Sequence, residues 1–97
     1  MIYHVVTKQH WDKALEQGYY EPESLAIEGF IHASNQSQVA GVIDRYYKGE
    51  TELLLLHIDE EKLAPELKYE MAPSVNEIFP HIFGRLNLDA VDKVVEL

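Results

Sequence analysis

Four consecutive leucines, Leu53 to Leu56, run into His57 and Ile58, with Glu52 before them and Asp59 after. The run is far too short for a membrane span, which needs about 20 apolar residues. It also lacks the alternation of a strand with one wet face. Short, apolar and bounded by charge, it reads as a central strand buried on both faces. A central strand needs partners along both edges, and the remaining segments can supply them.

Ile2 to Val6 is β-branched and aromatic, with Ile2, His4 and Val6 on one face and Tyr3 and Val5 on the other. Thr7 caps an expected helix over 8–17, Gly18 ends it, and Trp11, Ala14 and Leu15 form its buried stripe. The acidic stretch from Tyr19 to Glu28, with Pro22 and Ser24 inside it, reads as a loop. Gly29 to Ser34 reads as a second strand that opens into a helix capped by Ser34 or Asn35. Val39, Val42, Ile43, Tyr46 and Tyr47 follow helical spacing, and Gly49 closes that helix. On this spacing the Tyr46–Tyr47 pair is core and boundary packing. Asp59 to Leu63 suits a helical turn, Leu67 to Met71 a short strand, and Asp89 to Leu97 a closing strand. Ile78 to Gly84 is β-like, but Pro80 removes a ladder donor and points to an edge, bulge or bend. The expected architecture is α+β: a β-rich domain with two main helices.

Ninety-seven residues suffice for one core, so residues 1–97 are taken as a single domain. Seventeen acidic against eight basic residues give a net charge of −9, which argues against duplex nucleic acid and anionic membranes as partners. There is no cysteine, hence no disulfide, thiolate metal site or cysteine nucleophile. With no signal-like segment and no spanning segment, a soluble cytoplasmic protein is expected.

The chemistry must therefore come from histidines and a few polar residues. His4, His32, His57 and His81 all fall on strand-like segments, whereas His10 lies on the first turn of a helix. His32 and Ser34 share a strand face, and the helix start beyond them offers outward N–H groups. Each histidine alone is an ordinary core or rim residue; four in one small domain suggest a cleft. No metal is expected, because nothing resembles HExxH or a close ligand pair, although Glu70 and the strand histidines carry suitable atoms. No Gly-x-Ser-x-Gly elbow surrounds Ser34, and no phosphate-cradling glycine loop is present. Glu70 shares a strand face with Lys68, which makes an ordinary ion pair its simplest role. Arg45, Lys68 and Arg85 are the available phosphate partners.

Tyr3-His4, Trp11 with Gly18-Tyr19, Ser24-Leu25, Gly29-Phe30-Ile31-His32-Ala33-Ser34, Gln38-Val39, Tyr69-Glu70 and Phe79-Pro80-His81-Ile82-Phe83-Gly84 occur in that order along essentially the whole chain. In this they resemble the small bacterial family numbered 952 among the domains of unknown function. The resemblance implies a fold similar to the ADP-ribosyltransferase superfamily: a small split, antiparallel β-sheet domain whose cleft binds NAD in active members. It implies further that His4 matches the first-strand residue of that cleft, that His32 and Ser34 match the second-strand element, and that Glu70, by order along the chain, matches the later acid. His81 has no counterpart there. The expected catalytic residues are thus His4, His32 and Glu70, and the expected ligand-binding residues are Ser34, His81 and Arg85. The expected function is a histidine-lined cleft that binds NAD or another nucleotide as substrate and transfers ADP-ribose or a related group. A non-enzymatic small-ligand or protein-binding module that keeps the fold is the alternative.

Overall fold

The computed structural model describes all 97 residues. The leucine run is β4 (Leu53–Ile58), the middle of a three-stranded antiparallel sheet between β1 (Ile2–Thr7) and β8 (Val91–Glu96). Leu54, Leu56 and Ile58 enter the core, together with Ile2 and Val6 from β1. The other face is covered only in part: Leu53 is buried, but Leu55 and His57 are half-exposed. Burial on both faces is therefore complete on one face only.

A second antiparallel sheet has β6 (Glu77–Phe83) between β3 (Ile31–His32) and β5 (Glu66–Ala72). The short strands β2 (Tyr19–Tyr20) and β7 (Leu86–Asn87) pair separately. The chain from Ile31 to Ser34 joins the two larger sheets. Ile31 and His32 pair with Ile82 and His81, and two residues later Ser34 pairs with Tyr3 of β1 through N–H···O bonds of 2.7 and 2.8 Å. The two larger sheets part at this crossover.

Pro80 lies inside the middle strand of the second sheet, contrary to the expectation of an edge or bend. Its carbonyl accepts from Ala33 N–H at 3.1 Å. In an antiparallel ladder a residue's N–H and C=O face the same neighbour. The donor that proline lacks would therefore face Ala33, where β3 is already leaving the sheet. The β5 side loses nothing.

Helix α1 (Lys8–Gln17) is capped as expected: Thr7 Oγ1 accepts from His10 N–H at 3.2 Å, and Gly18 takes the left-handed conformation. Trp11 and Ala14 are buried, but Leu15 is 56% exposed, so the stripe is narrower than its spacing suggests. The segment read as a loop contains α2 (Glu23–Glu28), which starts after Pro22 and ends at Gly29 with φ 88°. Gly29 thus terminates a helix and does not open a strand. Its positive φ is a conformation in which a side chain would be strained.

A 3-10 turn at Gln36–Gln38 leads into α3 (Val39–Tyr46). Asn35 takes the cap position, its N–H donating to Gln38 Oε1 at 2.9 Å, while Ser34 stays in extended pairing with β1. Although α3 has the most regular amphipathic spacing in the chain, none of its residues is fully buried. No helix is long and apolar enough to cross a membrane.

Candidate functional site

A cavity of about 670 Å³ opens at the crossover between the two sheets. That volume falls within the roughly 300–1,000 Å³ of small-molecule sites. His4 and Val5 reach it from β1, His32 and Ser34 from the β3 crossover, and Phe79 and His81 from β6. Val42, Tyr46 and Tyr47 wall it from α3, and residues 71–75 around the β5–β6 turn close another side. The apolar stripe of α3 therefore faces a cavity in place of a core, which accounts for its incomplete burial. Tyr46 and Tyr47 belong to this wall, and Tyr47 O–H reaches the Val5 carbonyl at 3.4 Å.

Register explains why the histidines meet. His32 and His81 are direct partners across the β3–β6 ladder, so their side chains share a face, with ring centroids 5.5 Å apart. Phe30 stacks on His81 at 4.0 Å and meets His32 edge-on at 4.8 Å. Glu70, opposite Phe79 on β5, lies diagonal to His81 on that same face. Its Oε1 is 2.8 Å from His81 Nδ1. The ordinary Glu70–Lys68 pair does not form, since Lys68 lies 3.6 Å from Glu66.

His4 is held on both sides of its ring. Nδ1 approaches the His32 carbonyl and Nε2 lies 2.8 Å from the Tyr20 hydroxyl. A carbonyl only accepts, so Nδ1 carries the hydrogen and Nε2 accepts from Tyr20 O–H. Burial pushes the ring pKa down to about 4, against the opposing effect of the His32 carbonyl and with a further lowering from the His32 ring. Burial likewise raises the Tyr20 phenol. At neutral pH His4 is an uncharged brace between β1, β3 and β2.

His81 is held on one side only. Its ring is 7% exposed and Nδ1 is engaged by Glu70, but Nε2 has no protein partner. No buried side-chain nitrogen or oxygen in the protein lacks a partner, so Nε2 reaches open space, which at this ring is the cavity. The same reasoning puts Ser34 Oγ at the cavity surface. His32, more exposed, lies 3.0 Å from Glu28 Oε1 through Nε2.

Of the residues singled out from sequence, His4, His32, Ser34 and His81 line one cavity. Glu70 does not line it and touches the site through His81. Arg85, expected to meet a ligand phosphate, lies elsewhere: its Nε is 2.9 Å from Glu21 and its guanidinium stacks 4.2 Å from the Tyr19 ring. Arg45 and Lys68 are also absent from the lining, which contains no Lys or Arg at all. Glu28 and Phe30 line the cavity too, beyond the residues expected. Helix α2, in the acidic stretch expected to be a loop, brings Glu28 four residues ahead of His32. No group of three or more histidine, aspartate or glutamate side chains is arranged to hold a metal ion.

The fold and site define a small α+β domain of split antiparallel sheets with a cavity at their junction. The chain belongs to the family described as "Protein of unknown function (DUF952)", whose profile matches residues 5–94. No curated protein matches it. Among solved structures it is similar to protein CC0527 from Caulobacter crescentus. The crystal structure of that protein has a TM-score of 0.89 at 30% identity, covering 99% of this chain and 84% of that one. Its solution NMR structure has a TM-score of 0.84 at 30% identity, covering 99% and 83%.

Proposed function

We propose that the cavity binds a nucleoside- or nucleotide-type ligand, with NAD as the leading substrate and ADP-ribosyl transfer as the reaction class. The observation that carries this reading is the convergence of His4, His32, Ser34 and His81, from three separate chain segments, on one small-molecule-sized cavity. Ser34 Oγ and the His32 ring offer hydrogen bonds to a ribose, and Phe30, Phe79 and the α3 tyrosines offer apolar contact to a flat ring. NAD is the candidate because the family resemblance read from the sequence implies an ADP-ribosyltransferase-like cleft. With no Lys or Arg in the lining, a bound pyrophosphate would remain solvated at the mouth. Titration calorimetry with NAD, ADP-ribose and nicotinamide riboside tests the reading. NAD and nicotinamide riboside are expected to bind comparably, and Ser34→Ala or His32→Ala to weaken both. Folded protein that binds none of the three at millimolar concentration overturns it.

A second reading, a binding module without turnover, is favoured by one feature: the acid expected to assist catalysis, Glu70, faces His81 and does not line the cavity. Measuring nicotinamide release during NAD binding separates the two readings. Saturation without release supports the module.

A further inference from the structure

We propose that His81 is the proton-accepting group of the cavity and that Glu70 is its positioning residue. This rests on the reading of the cavity as a ligand site, but it adds a role to a histidine with no counterpart in the resemblance on which that reading draws. Three features carry it.

First, Glu70 and His81 are brought together by ladder geometry: they are diagonal neighbours on one face of β5 and β6, and the carboxylate accepts from Nδ1 at 2.8 Å. A carboxylate cannot donate, so the neutral ring carries its hydrogen on Nδ1 and an open lone pair on Nε2. Second, that lone pair reaches the cavity, since Nε2 has no protein partner and no buried nitrogen is left unpaired. Third, the ring plane is fixed by Phe30, which stacks on it at 4.0 Å and 16°. The ring is thus fixed in tautomer, orientation and plane, with one nitrogen unoccupied. His4 has both nitrogens occupied and cannot serve in the same way.

In the step this arrangement allows, an O–H group of the bound ligand gives its proton to Nε2. The O–H bond breaks, an N–H bond forms, and the oxygen keeps the electron pair. The imidazolium then faces the Glu70 carboxylate, which stabilises its charge. Glu70 acts through His81 and is not expected to touch the ligand.

Two measurements test this without any ligand, so their failure is distinct from failure of the calorimetry. Diethyl pyrocarbonate modifies accessible unprotonated imidazole nitrogens, and peptide mass spectrometry locates the product. His81 is expected to react, with exposed His10 as positive control, while His4 reacts at least about tenfold more slowly because both its nitrogens are bonded. His81 left unmodified while His10 reacts fully would overturn the proposal. Long-range ¹H–¹⁵N NMR of the imidazole rings then reads the tautomer. The charged or titratable groups around the His81 ring are Glu70 and Lys68 on β5, His32 on β3 and Glu28 on α2 behind His32. The wild-type protein is expected to show His81 protonated on Nδ1, and Glu70→Gln to keep that tautomer, since its amide oxygen still accepts. Glu70→Leu, which offers no acceptor, is expected to release the ring into a mixture of Nδ1- and Nε2-protonated forms. A purely structural contact would leave the tautomer of Glu70→Leu unchanged. Either that result or an Nε2-protonated ring in the wild type overturns the assignment.

Discussion

His4 and His81 line the same cavity from opposite sheets, yet they are built for different tasks. The closed side, around His4, uses both ring nitrogens to tie β1 to the β3 carbonyl and to Tyr20, whose ring also packs near Trp11. The open side, around His81, uses one nitrogen and leaves the other to the cavity. A histidine on an apolar strand is thus not one kind of residue. What separates a brace from a reactive group is whether the second nitrogen is satisfied, and only the tertiary contacts decide that.

The comparison is easiest to break by truncation on the closed side. His4→Ala strands the Tyr20 hydroxyl and the His32 carbonyl and opens a void, so it is expected to cost about 3 kcal/mol in urea unfolding. A loss under about 1 kcal/mol would mean that His4 is not a brace.

The pH dependence of stability sharpens the same point. In the unfolded chain His4 takes its proton near 6.5, but in the folded protein only near 4. Between those values the unfolded state binds a proton that the native state does not, so stability falls as pH drops through this window and levels off below it. The fall is expected to reach up to about 3 kcal/mol, and it should shrink in His4→Gln, which does not titrate. Urea midpoints of both proteins from pH 7 to pH 4 measure it.

His81→Ala is expected to cost less, about 1–2 kcal/mol, since it removes a ring stack and a hydrogen bond to a carboxylate that is 44% exposed. A cost equal to that of His4→Ala would erase the distinction between the two sides. The smallest effect is expected at Glu28→Gln. That pair is exposed on both partners, so stability should change by less than about 0.5 kcal/mol. Any larger consequence should appear in ligand affinity, measured by the same calorimetry.

Much of this arrangement was legible in the sequence. The leucine strand, the capped first helix and the β1 alternation follow from local periodicity and capping. Helix α2 carries ordinary punctuation, with Pro22 before it, Glu23 in its first turn and Gly29 after it, but the acidic composition between them masks it, and Glu28 with it. The position of Pro80 could not be read locally, because its tolerance depends on where β3 leaves the sheet. The direction of Arg85 was equally hidden, being set by Glu21 and Tyr19, more than sixty residues away in sequence. The pairing of Glu70 with His81 follows from the β5–β6 register, and register needs both strands.

The crossover at residues 31–34 has a mechanical consequence. One short piece of backbone is pinned to β6 at one end and to β1 at the other, so the two sheets are riveted at the floor of the cleft and cannot hinge apart there. Ligand entry must be accommodated elsewhere in the lining, which includes α3 and the β5–β6 turn. In native-state hydrogen exchange, the amides of Tyr3 and Ser34 should therefore be among the slowest of any at the cavity, while the Ser74 amide in the β5–β6 turn should exchange much faster.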